Sequence, residues 1–378
     1  MEEVIQVLSK FYKRIVRISQ VTDIVLLTRG KINRTYKIEG VTDDFPIIFR
    51  KYNSAKTVSD IEFEHRIMHY LQESDSFKYS GSVIPTDDGM TFVTEKAKDA
   101  IHGFYAVFEY LPGDDRYTLT ENNLTLIECQ SFATVFTQLH VVLSLFPDAF
   151  VLRKPRVNDQ IPMMIDKLSI PHQAFSLLAI GPEAPKHNSF RDIWLSNETI
   201  FAEEFGFVAQ ASERQKGIPE MLIWKDGHGG NVKWAPTQET VQHVFDFDWS
   251  TKDSRLFDLA FTLSALSSIL EKNSKCGSFD FQKFKTVLEF YLSGLKDNKT
   301  SRISFLTDAE LDSLEIEIRK INLYLLDWVH TDYFQKCKSD LNFDPTYHVE
   351  YLDHVCKSVL WIQDTTNQSI LNDVIHEV

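Results

Sequence analysis

Apolar residues recur at two spacings in the first part of the chain. Side chains three and four positions apart over residues 4–19 and again over 60–72 predict two helices. Short apolar blocks with polar turns between them predict strands. Consecutive strands joined only by turns pair antiparallel, because a parallel pair needs a long crossover. We therefore expect a five-stranded antiparallel sheet, formed by blocks 24–27, 35–38, 46–50, 91–93 and 105–108 together with the segment 83–85.

The second part of the chain is predicted to be mainly helical. Pro112 and Gly113 break regular structure, so we place a boundary between an N-terminal lobe, 1–111, and a C-terminal lobe, 112–378. Residues 146–220 contain seven prolines and predict no clear element. The predicted helices are 120–145, with Thr120 or Asn122 as N-cap, 253–270, 281–295, 308–338 and 349–363.

A hairpin in the C-terminal lobe carries the strongest chemical pattern. Apolar positions at 232–234 and 241–247 flank a polar turn, which predicts two short strands. Asp226 and Asn231 then lie in the loop before the first strand, and Asp246 lies at or just past the end of the second. These three side chains can converge on one point.

Such a set of residues suits phosphoryl transfer from a nucleotide. One carboxylate orients an acceptor hydroxyl and receives its proton, while an amide oxygen and a second carboxylate hold Mg²⁺ on the phosphates. All three ligand atoms are oxygens, as a hard cation prefers. His228, in the same loop, is interpreted as a loop or substrate-wall residue. The alternative is that Asp226 and Asn231 are ordinary turn residues and that Asp246 and Asp248 belong to an exposed strand edge.

The spacing Asp226-x4-Asn231, followed by Asp246 in an apolar strand and by Asp258-Leu259-Ala260, resembles the aminoglycoside phosphotransferase and choline kinase superfamily. The context is most similar to its homoserine-kinase-like and methylthioribose-kinase-like members, which carry His-Gly-Asp-x4-Asn. Trp224 stands here in place of the family histidine, and we expect altered loop packing more than lost chemistry. The resemblance implies an α+β, two-lobe, protein-kinase-like fold, with Asp226 as catalytic base and Asn231 and Asp246 as metal ligands.

The resemblance also implies a nucleotide site in the N-terminal lobe. Its phosphate-covering loop would contain Gly30, Asn33 and Thr35. Arg50 would bind the phosphates, with Lys51 as the alternative; neighbouring strand residues point to opposite faces, so only one of them can serve.

Further residues complete the site that the resemblance implies. Glu64, with Glu62 as alternative, would hold the side chain of Arg50 in place. Glu109 and Leu111 would lie in the linker between the lobes and pair with the adenine edge. Asp258 would brace the catalytic loop, and His140 would be structural.

Composition narrows the range of partners. A net charge of −14 argues against nucleic-acid binding and is mildly compatible with a cationic small substrate. Four scattered cysteines without a CxxC pair are typical of a reduced, cytoplasmic protein. The N-terminus lacks the blocks of a signal peptide, and no apolar run approaches membrane-spanning length. We expect a monomer or homodimer without membrane association.

An aromatic and acidic cluster near the end of the predicted helix 308–338 has two interpretations. Asp327 or Asp332 could pair with an acceptor amine, or the cluster could belong to the core, where aromatic residues at helical spacing usually pack. The other members are Tyr324, Trp328, His330, Thr331 and Tyr333.

The sequence therefore predicts an ATP-dependent, Mg²⁺-dependent kinase of a small molecule, with GTP not excluded as the nucleotide. The acceptor would be an amino alcohol, a sugar or an aminoglycoside, bound largely by the variable region 146–220. The alternative is a catalytically weak pseudokinase that binds a nucleotide or another ligand. A protein kinase is disfavoured, because the interval from Asp246 to Asp258 is too short for an activation segment.

Overall fold

The computed structural model describes most of the chain. The described residues are 1–28, 32–40, 45–97, 100–152, 154–167, 187–213, 218–297, 303, 305–339 and 343–378. Among them, the side chains of 96, 97, 100–102 and 165–167 are not described.

The N-terminal part is an antiparallel sheet with a helix on each face. Among the described residues the sheet has six strands: β1 Asp23–Leu27, β2 Arg34–Glu39, β3 Ile47–Lys51, β4 Val83–Ile84, β5 Val93–Ala97 and β6 Ala100–Glu109. Their order in the sheet is β1-β2-β3-β6-β4, with β5 also paired to β6. The expected count of five strands was wrong, because Val83 and Ile84 pair with Phe108 and Val107 as a separate short strand.

Alternation along β6 shows how the sheet divides two clusters of apolar side chains. Tyr105 and Val107 pack with the first helix, α1 (Glu2–Phe11). Phe104, Ala106 and Phe108 pack on the other side with the second helix, α2 (Val58–Glu73). Period-two burial of this kind is expected for a strand covered on both faces. The helix predicted over 4–19 is shorter than expected: it ends at Phe11, and only a short 3₁₀ turn, Ile18–Gln20, follows.

The helix α2 begins at a capping box. The Thr57 side chain accepts a hydrogen bond from the Asp60 backbone N–H, and the Asp60 carboxylate accepts one from the Thr57 backbone N–H. This reciprocal pair satisfies two of the donors that a helix N-terminus leaves free. The cap fixes where α2 starts, and thereby which of its residues face the sheet.

The chain passes from the sheet to the helical part at Gly113. Its φ of 118° lies in the region that favours glycine, and a Cβ there would lie 2.7 Å from the carbonyl oxygen of Trp234. Beside it, Asp114 and Trp234 exchange two backbone hydrogen bonds. The joint is therefore fixed to the hairpin of the C-terminal part. The exact domain boundary between residues 111 and 112 stays a prediction.

The next helix, α3 (Leu126–Leu143), lies in the core of the C-terminal part. Thr125 caps it in a capping box with Glu128, so the expected caps at Thr120 or Asn122 were wrong. By length and composition α3 could span a membrane, contrary to our expectation for any apolar run, but 67% of it is buried inside the protein. It packs chiefly against a later helix at 281–296, which is the usual reason for such an apolar composition in a core helix.

Seven further helices are described in the C-terminal part. Two lie in the region that the sequence left unassigned, and the last one was also not expected. Residues 168–186 and 214–217 of that region lie outside the described part of the chain. The helices are α4 Val157–Lys167, α5 Asn188–Ser212, α6 Arg255–Ser267, α7 Phe281–Lys296, α8 Asp308–Ser339, α9 Thr346–Gln363 and α10 Thr365–His376.

Two small antiparallel pairs lie between α5 and α6. The expected hairpin is β8 (Val232–Trp234) with β9 (Val241–Val244). A second pair joins β7 (Glu220–Ile223), which precedes this hairpin in the sequence, to β10 (Thr251–Ser254), which follows it. Because β10 runs to Ser254, the helix expected from residue 253 begins instead at Arg255, capped by Ser254. All four cysteines are free thiols.

Candidate active site

One buried carboxylate holds the backbone of the loop after β7 in place. Asp258, at the start of α6, accepts hydrogen bonds of 2.8 Å from the backbone N–H groups of both Trp224 and Lys225. His140 of α3 contacts the same carboxylate at 3.0 Å and the hydroxyl of Tyr291 at 2.8 Å. Asp258 and His140 are completely buried. They hold the loop in place and have no access to a substrate.

Two residues of the site have a strained backbone. Outside glycine, Lys225 (φ 67°) and Asp246 (φ 64°) are the only described residues with a positive φ. This conformation costs a residue with a side chain about 1–2 kcal/mol. Strain of this kind persists where the surroundings enforce it and is concentrated at functional sites.

Asp226 lies at the base of the loop and is bound by Asn231. The amide Nδ2 of Asn231 donates to the Asp226 carboxylate at 2.6 Å and to its backbone carbonyl at 3.0 Å. Burial raises the pKa of Asp226 well above its ordinary value, and the charges of Asp246 and Asp248 add to this rise. A carboxylate in this environment is a better proton acceptor than one in water.

His228 lies beside Asp226 in the same loop. Its Nε2 lies 3.6 Å from Asp226 Oδ1, and its Nδ1 accepts a hydrogen bond from the backbone N–H of Gly230. The ring is therefore bound within the loop itself.

Arg50 bridges the two parts of the molecule. Its Nη1 lies 2.8 Å from Glu64 Oε1 on α2 and 3.5 Å from Asp246 Oδ1. The second oxygen of Glu64 accepts a hydrogen bond from the Tyr52 hydroxyl at 2.9 Å. Burial raises the pKa of Glu64 to about 7, although the Arg50 cation opposes this shift.

The residues weighed as alternatives lie elsewhere. Lys51 points to the opposite face of the sheet and pairs with Glu3 of α1 at 2.5 Å. Glu62 is exposed on the outer side of α2. Strand and helix periodicity therefore bring Arg50 and Glu64, and not these neighbours, to Asp246.

Asp248 and Lys56 are site residues that the sequence reasoning missed. Lys56 Nζ lies 3.1 Å from Asp248 Oδ2 and donates to its backbone carbonyl at 3.0 Å. Asn33 Nδ2 also donates to Asp248 Oδ2, at 3.2 Å, while Asn33 Oδ1 accepts from the backbone N–H of Asn53. The only sequence clue was that Asp248 follows Asp246 at a spacing of two.

The other predicted nucleotide residues lie around these contacts. Thr35 is the cross-strand partner of Arg50 in the β2–β3 register. Glu109 ends β6, and its carboxylate accepts from the backbone N–H of Ser82, so its side chain is already engaged. Leu111 follows β6 and packs near Gly81, where a Cβ would lie 2.8 Å from it. Gly30 lies outside the described residues.

The oxygen atoms at the cleft fit a hard divalent cation. Asp246 Oδ1 and Asp248 Oδ1 are buried and have no hydrogen-bond partner. Asn231 uses its amide nitrogen for Asp226, so its amide oxygen remains as an acceptor. Burial and the charge of Asp248 raise the pKa of Asp246 to about 6, despite Arg50. Among the described residues, no group of three or more His, Cys, Asp or Glu side chains is arranged to hold a metal ion by itself, but Mg²⁺ commonly takes one or two carboxylates and completes its shell with phosphates and water.

The aromatic and acidic cluster of α8 divides between the core and the cleft. Tyr333 is fully buried and stacks on Phe190 at 3.7 Å, and Asp332 is held by His348 at 2.7 Å. Tyr333 therefore belongs to the core, and the Asp332 carboxylate is engaged by His348. Tyr324 differs: burial raises the pKa of its hydroxyl, and Asp226 is the largest of the charges that add to the rise.

A cavity lies between α6, α8 and α9, and Tyr351 lies in its wall. Burial raises the pKa of the Tyr351 hydroxyl well above its ordinary value, with Tyr347 and Asp226 as further causes. The remaining polar lining is uncharged or histidine, and includes Asn122, Ser264, Asn322 and His354.

Solved structures of similar fold cover almost the whole chain. A microcompartment-associated aminopropanol kinase has a TM-score of 0.65 and 17% identity, with 96% of each chain covered. A spectinomycin phosphotransferase, solved with ADP and spectinomycin, has a TM-score of 0.67 and 13% identity, with 96% of this chain and 98% of that chain covered. Choline kinase from Cryptosporidium parvum has a TM-score of 0.61 and 12% identity, with 99% and 97% covered.

These likenesses define the class of fold, the two-lobe, protein-kinase-like architecture of aminoglycoside phosphotransferases and choline kinases. The sequence itself matches the phosphotransferase enzyme family over residues 23–273, and the chain belongs to that family. A search of curated protein sequences found no significant match.

Proposed function

We propose that the protein is an ATP-dependent kinase that transfers the γ-phosphate to a hydroxyl group of a small molecule. The observation that carries the proposal is the meeting of Arg50, Asp226, Asn231 and Asp246 in one cleft, from segments far apart in the sequence. Their types supply the cation, base and oxygen ligands that phosphoryl transfer requires. Neighbours in fold were solved with ADP and with AMP-PNP, which supports ATP; others were solved with GDP, so GTP is not excluded.

Asp226 is the catalytic base in this proposal. The acceptor hydroxyl donates a hydrogen bond to its carboxylate, which Asn231 holds in one orientation. The hydroxyl oxygen attacks the γ-phosphorus, the bond to the β–γ bridging oxygen breaks, and the hydroxyl proton passes to Asp226. The products are ADP and the phosphorylated acceptor. Positioning and electrostatic stabilisation supply most of the rate enhancement in such reactions.

Arg50 binds the nucleotide phosphates and is itself oriented by Glu64. Asn231 Oδ1 and Asp246, with Asp248 beside them, would hold Mg²⁺. When bound, this cation neutralises phosphate charge and orients the phosphates. Lys56 keeps Asp248 in place through its two contacts. Asn33 and Thr35 approach the phosphates from the sheet, and the linker around Glu109 and Leu111 borders the adenine ring of the nucleotide.

The acceptor is a small molecule with a free hydroxyl, and an amino alcohol, a sugar and an aminoglycoside all remain candidates. The names of the structural neighbours, an aminopropanol kinase, a spectinomycin phosphotransferase and a choline kinase, fall in the same range. In this proposal the acceptor binds in the cleft beside Asp226, where its hydroxyl meets the carboxylate that Asn231 orients.

Thermal stabilisation by ATP, with and without Mg²⁺, tests the nucleotide site. A ligand that binds only the folded state and is present at 100 times its Kd should add about 2.7 kcal/mol to the free energy of unfolding. We expect this gain in the wild type and its loss in Asp246→Asn. Asp148→Asn, which removes an exposed carboxylate paired with Lys252, is the matched control.

The second step is a screen of hydroxyl compounds for acceptor-dependent ADP release, with Asp226→Ala as the inactive control. Absence of stabilisation by ATP or GTP in the wild type would contradict the proposal at its first step. Stabilisation without any acceptor-dependent release would contradict the transfer reaction.

A further inference from the structure

Lys225, the residue before the proposed base, has an unusual environment. Its side chain is only 7% exposed, and its backbone adopts a φ of 67°, which a glycine would adopt without strain. Lys225 therefore places a long cationic side chain at a position where the backbone conformation favours glycine, which has no side chain. The backbone N–H is fixed by Asp258 at 2.8 Å, so the side chain leaves the loop from a defined point.

The ammonium group contacts aromatic rings and no acid. Lys225 Nζ lies 5.0 Å from the ring centre of Tyr324 and 5.8 Å from that of Phe257. Within the described part of the chain, no carboxylate lies within ion-pair distance of Nζ and no acceptor lies within hydrogen-bond distance. Burial accordingly lowers the pKa of Lys225, with Asp253 and Asp258 opposing and Lys154 adding to the shift.

The two nearby carboxylates are already used by backbone donors. Asp253 accepts from the backbone N–H groups of Val157 at 2.9 Å and Ser254 at 2.8 Å. Asp258 accepts from the loop that contains Lys225 itself. Both acids are directed to the backbone, and the ammonium is not their partner. A buried cation in this position is ready for an anion that comes from outside the chain.

The position of the ammonium relates it to the acceptor site. Nζ lies over the ring of Tyr324, and Asp226 is the largest of the charges that add to the raised pKa of the Tyr324 hydroxyl. Lys225 and Asp226 are also consecutive residues. One small molecule that reaches this loop can therefore present an anion to Lys225 and a hydroxyl to Asp226.

We propose that Lys225 is a specificity-determining residue that binds a carboxylate of the acceptor, so that the preferred acceptor is a small hydroxy acid. The inference rests on the proposed function, which it narrows. A single ammonium balances one negative charge, and Asp226, Asp327 and Asp253 around Tyr324 would repel a dianion such as a phosphate ester. Phe257 and Tyr324 desolvate the ammonium and strengthen its attraction to the carboxylate.

Matched acceptors test the proposal. The probes are the terminal hydroxy acids of three to five carbons, their neutral amides, and the amino alcohols of the same lengths. Acceptor-dependent ADP release is measured for the wild type, Lys225→Met, Lys225→Arg and Lys252→Met. Lys252 is a lysine on neighbouring β10 that pairs with Asp148 on the surface, so its replacement is the control for loss of one positive charge.

In the wild type we expect kcat/KM for the best hydroxy acid to exceed that for its amide by about tenfold or more, as expected for a charge-assisted contact. Lys225→Met should abolish this ratio, because kcat/KM should fall far more for the hydroxy acid than for its amide. Lys225→Arg keeps the positive charge and should retain a large part of the ratio. Lys252→Met should behave as the wild type. If Lys225 had only a structural role, its replacement would lower kcat/KM for all acceptors together and would leave the ratio unchanged.

A second measurement does not depend on turnover. In the presence of saturating ADP and Mg²⁺, a hydroxy acid should raise the Tm of the wild type and of Lys225→Arg but not that of Lys225→Met. The inference is overturned if no hydroxy acid stabilises the wild type more than Lys225→Met, or if amides and amino alcohols are used equally well or better. Stabilisation by Mg²⁺ and ATP in the same experiment separates this failure from a failure of the proposed kinase function.

Discussion

The indole N–H of Trp224 donates a 2.8 Å hydrogen bond to the backbone carbonyl of Asp246. The bond joins the loop that carries Asp226 to the segment that carries the proposed metal ligand, and it helps to hold Asp246 at its positive φ. The ring itself is buried and stacks on Phe132. Trp224 stands where related phosphotransferases are expected to have histidine, and a donor nitrogen is retained at this position.

Replacing Trp224 tests this connection. Trp224→Phe keeps an aromatic ring but leaves the buried carbonyl of Asp246 without its donor, so we expect a loss of about 1–3 kcal/mol in the free energy of unfolding. The affinity for Mg²⁺ and ATP should fall with it. Urea unfolding and a Mg²⁺ titration measure the two effects. Trp361→Phe, which removes an indole packed on Phe279 and Phe281, is the control and should leave the Mg²⁺ affinity unchanged.

Asp226→Asn should separate binding from chemistry. The amide can still accept a hydrogen bond from Asn231, so the loop keeps its shape, but it cannot take the acceptor proton. We expect kcat to fall by about 10²–10⁴, the usual contribution of a general base, with little change in the Kd of ATP. Steady-state kinetics and nucleotide binding measure the two quantities. A variant that lost nucleotide affinity and kept kcat would show that Asp226 acts on the nucleotide instead.

The titration of Asp246 predicts a dependence of stability on pH in the absence of nucleotide and metal. Its pKa is raised from 3.8 to about 6, so the folded protein retains a proton that the unfolded chain releases. This contribution to stability is complete below about pH 4 and is lost as the pH rises through 6. Asp246→Asn removes the titration. Its free energy of unfolding relative to the wild type should therefore increase by roughly 1–3 kcal/mol between pH 4 and pH 7.

Urea unfolding of the two proteins at several pH values measures this difference. Titrating groups remote from Asp246 cancel in the comparison, whereas Asp226 and Glu64, whose pKa values the charge of Asp246 raises, contribute to it. A constant difference across the range would show that Asp246 has an ordinary pKa in the folded protein. Mg²⁺ and ATP should flatten the dependence, because cation binding favours the ionised carboxylate.

Gly227 is required by the close approach of α6. A Cβ at Gly227 would lie 2.2 Å from Thr262 Oγ1 but an acceptable 3.5 Å from Thr262 Cβ. Gly227→Ala should therefore cost about 1–3 kcal/mol through overpacking and lower kcat by displacing the adjacent Asp226. Thr262→Ala removes the clashing oxygen, which is buried without a hydrogen-bond partner. The double variant should recover most of the lost stability and most of the lost kcat, as measured by unfolding and kinetics. If neither recovers, the contact with Thr262 Oγ1 is not the cause of the losses.

Much of the secondary structure could be predicted from the sequence, because strand alternation and turns depend on residues that are close together in the chain. The alternation along β3 predicted that Arg50 and Lys51 face opposite ways, and they pair with Glu64 on one side of the sheet and Glu3 on the other. The hairpin at β8–β9 followed from two apolar blocks and a turn. The prediction failed where propensity was weak: Val83–Ile84 is a two-residue strand, and α5 lies in a region that prolines had obscured.

The sequence by itself determined which chemical groups are available: a base candidate at Asp226, oxygen ligands at Asn231 and Asp246, and a cation at the end of a strand. The tertiary structure decided which of them meet. Asn33 and Lys56 reach Asp248 across 215 and 192 residues of chain, and the burial of Lys225 depends on helices that begin thirty and more residues later. Spacing along a chain specifies periodicity and caps, but contacts between distant segments follow from packing and burial, which no local pattern encodes.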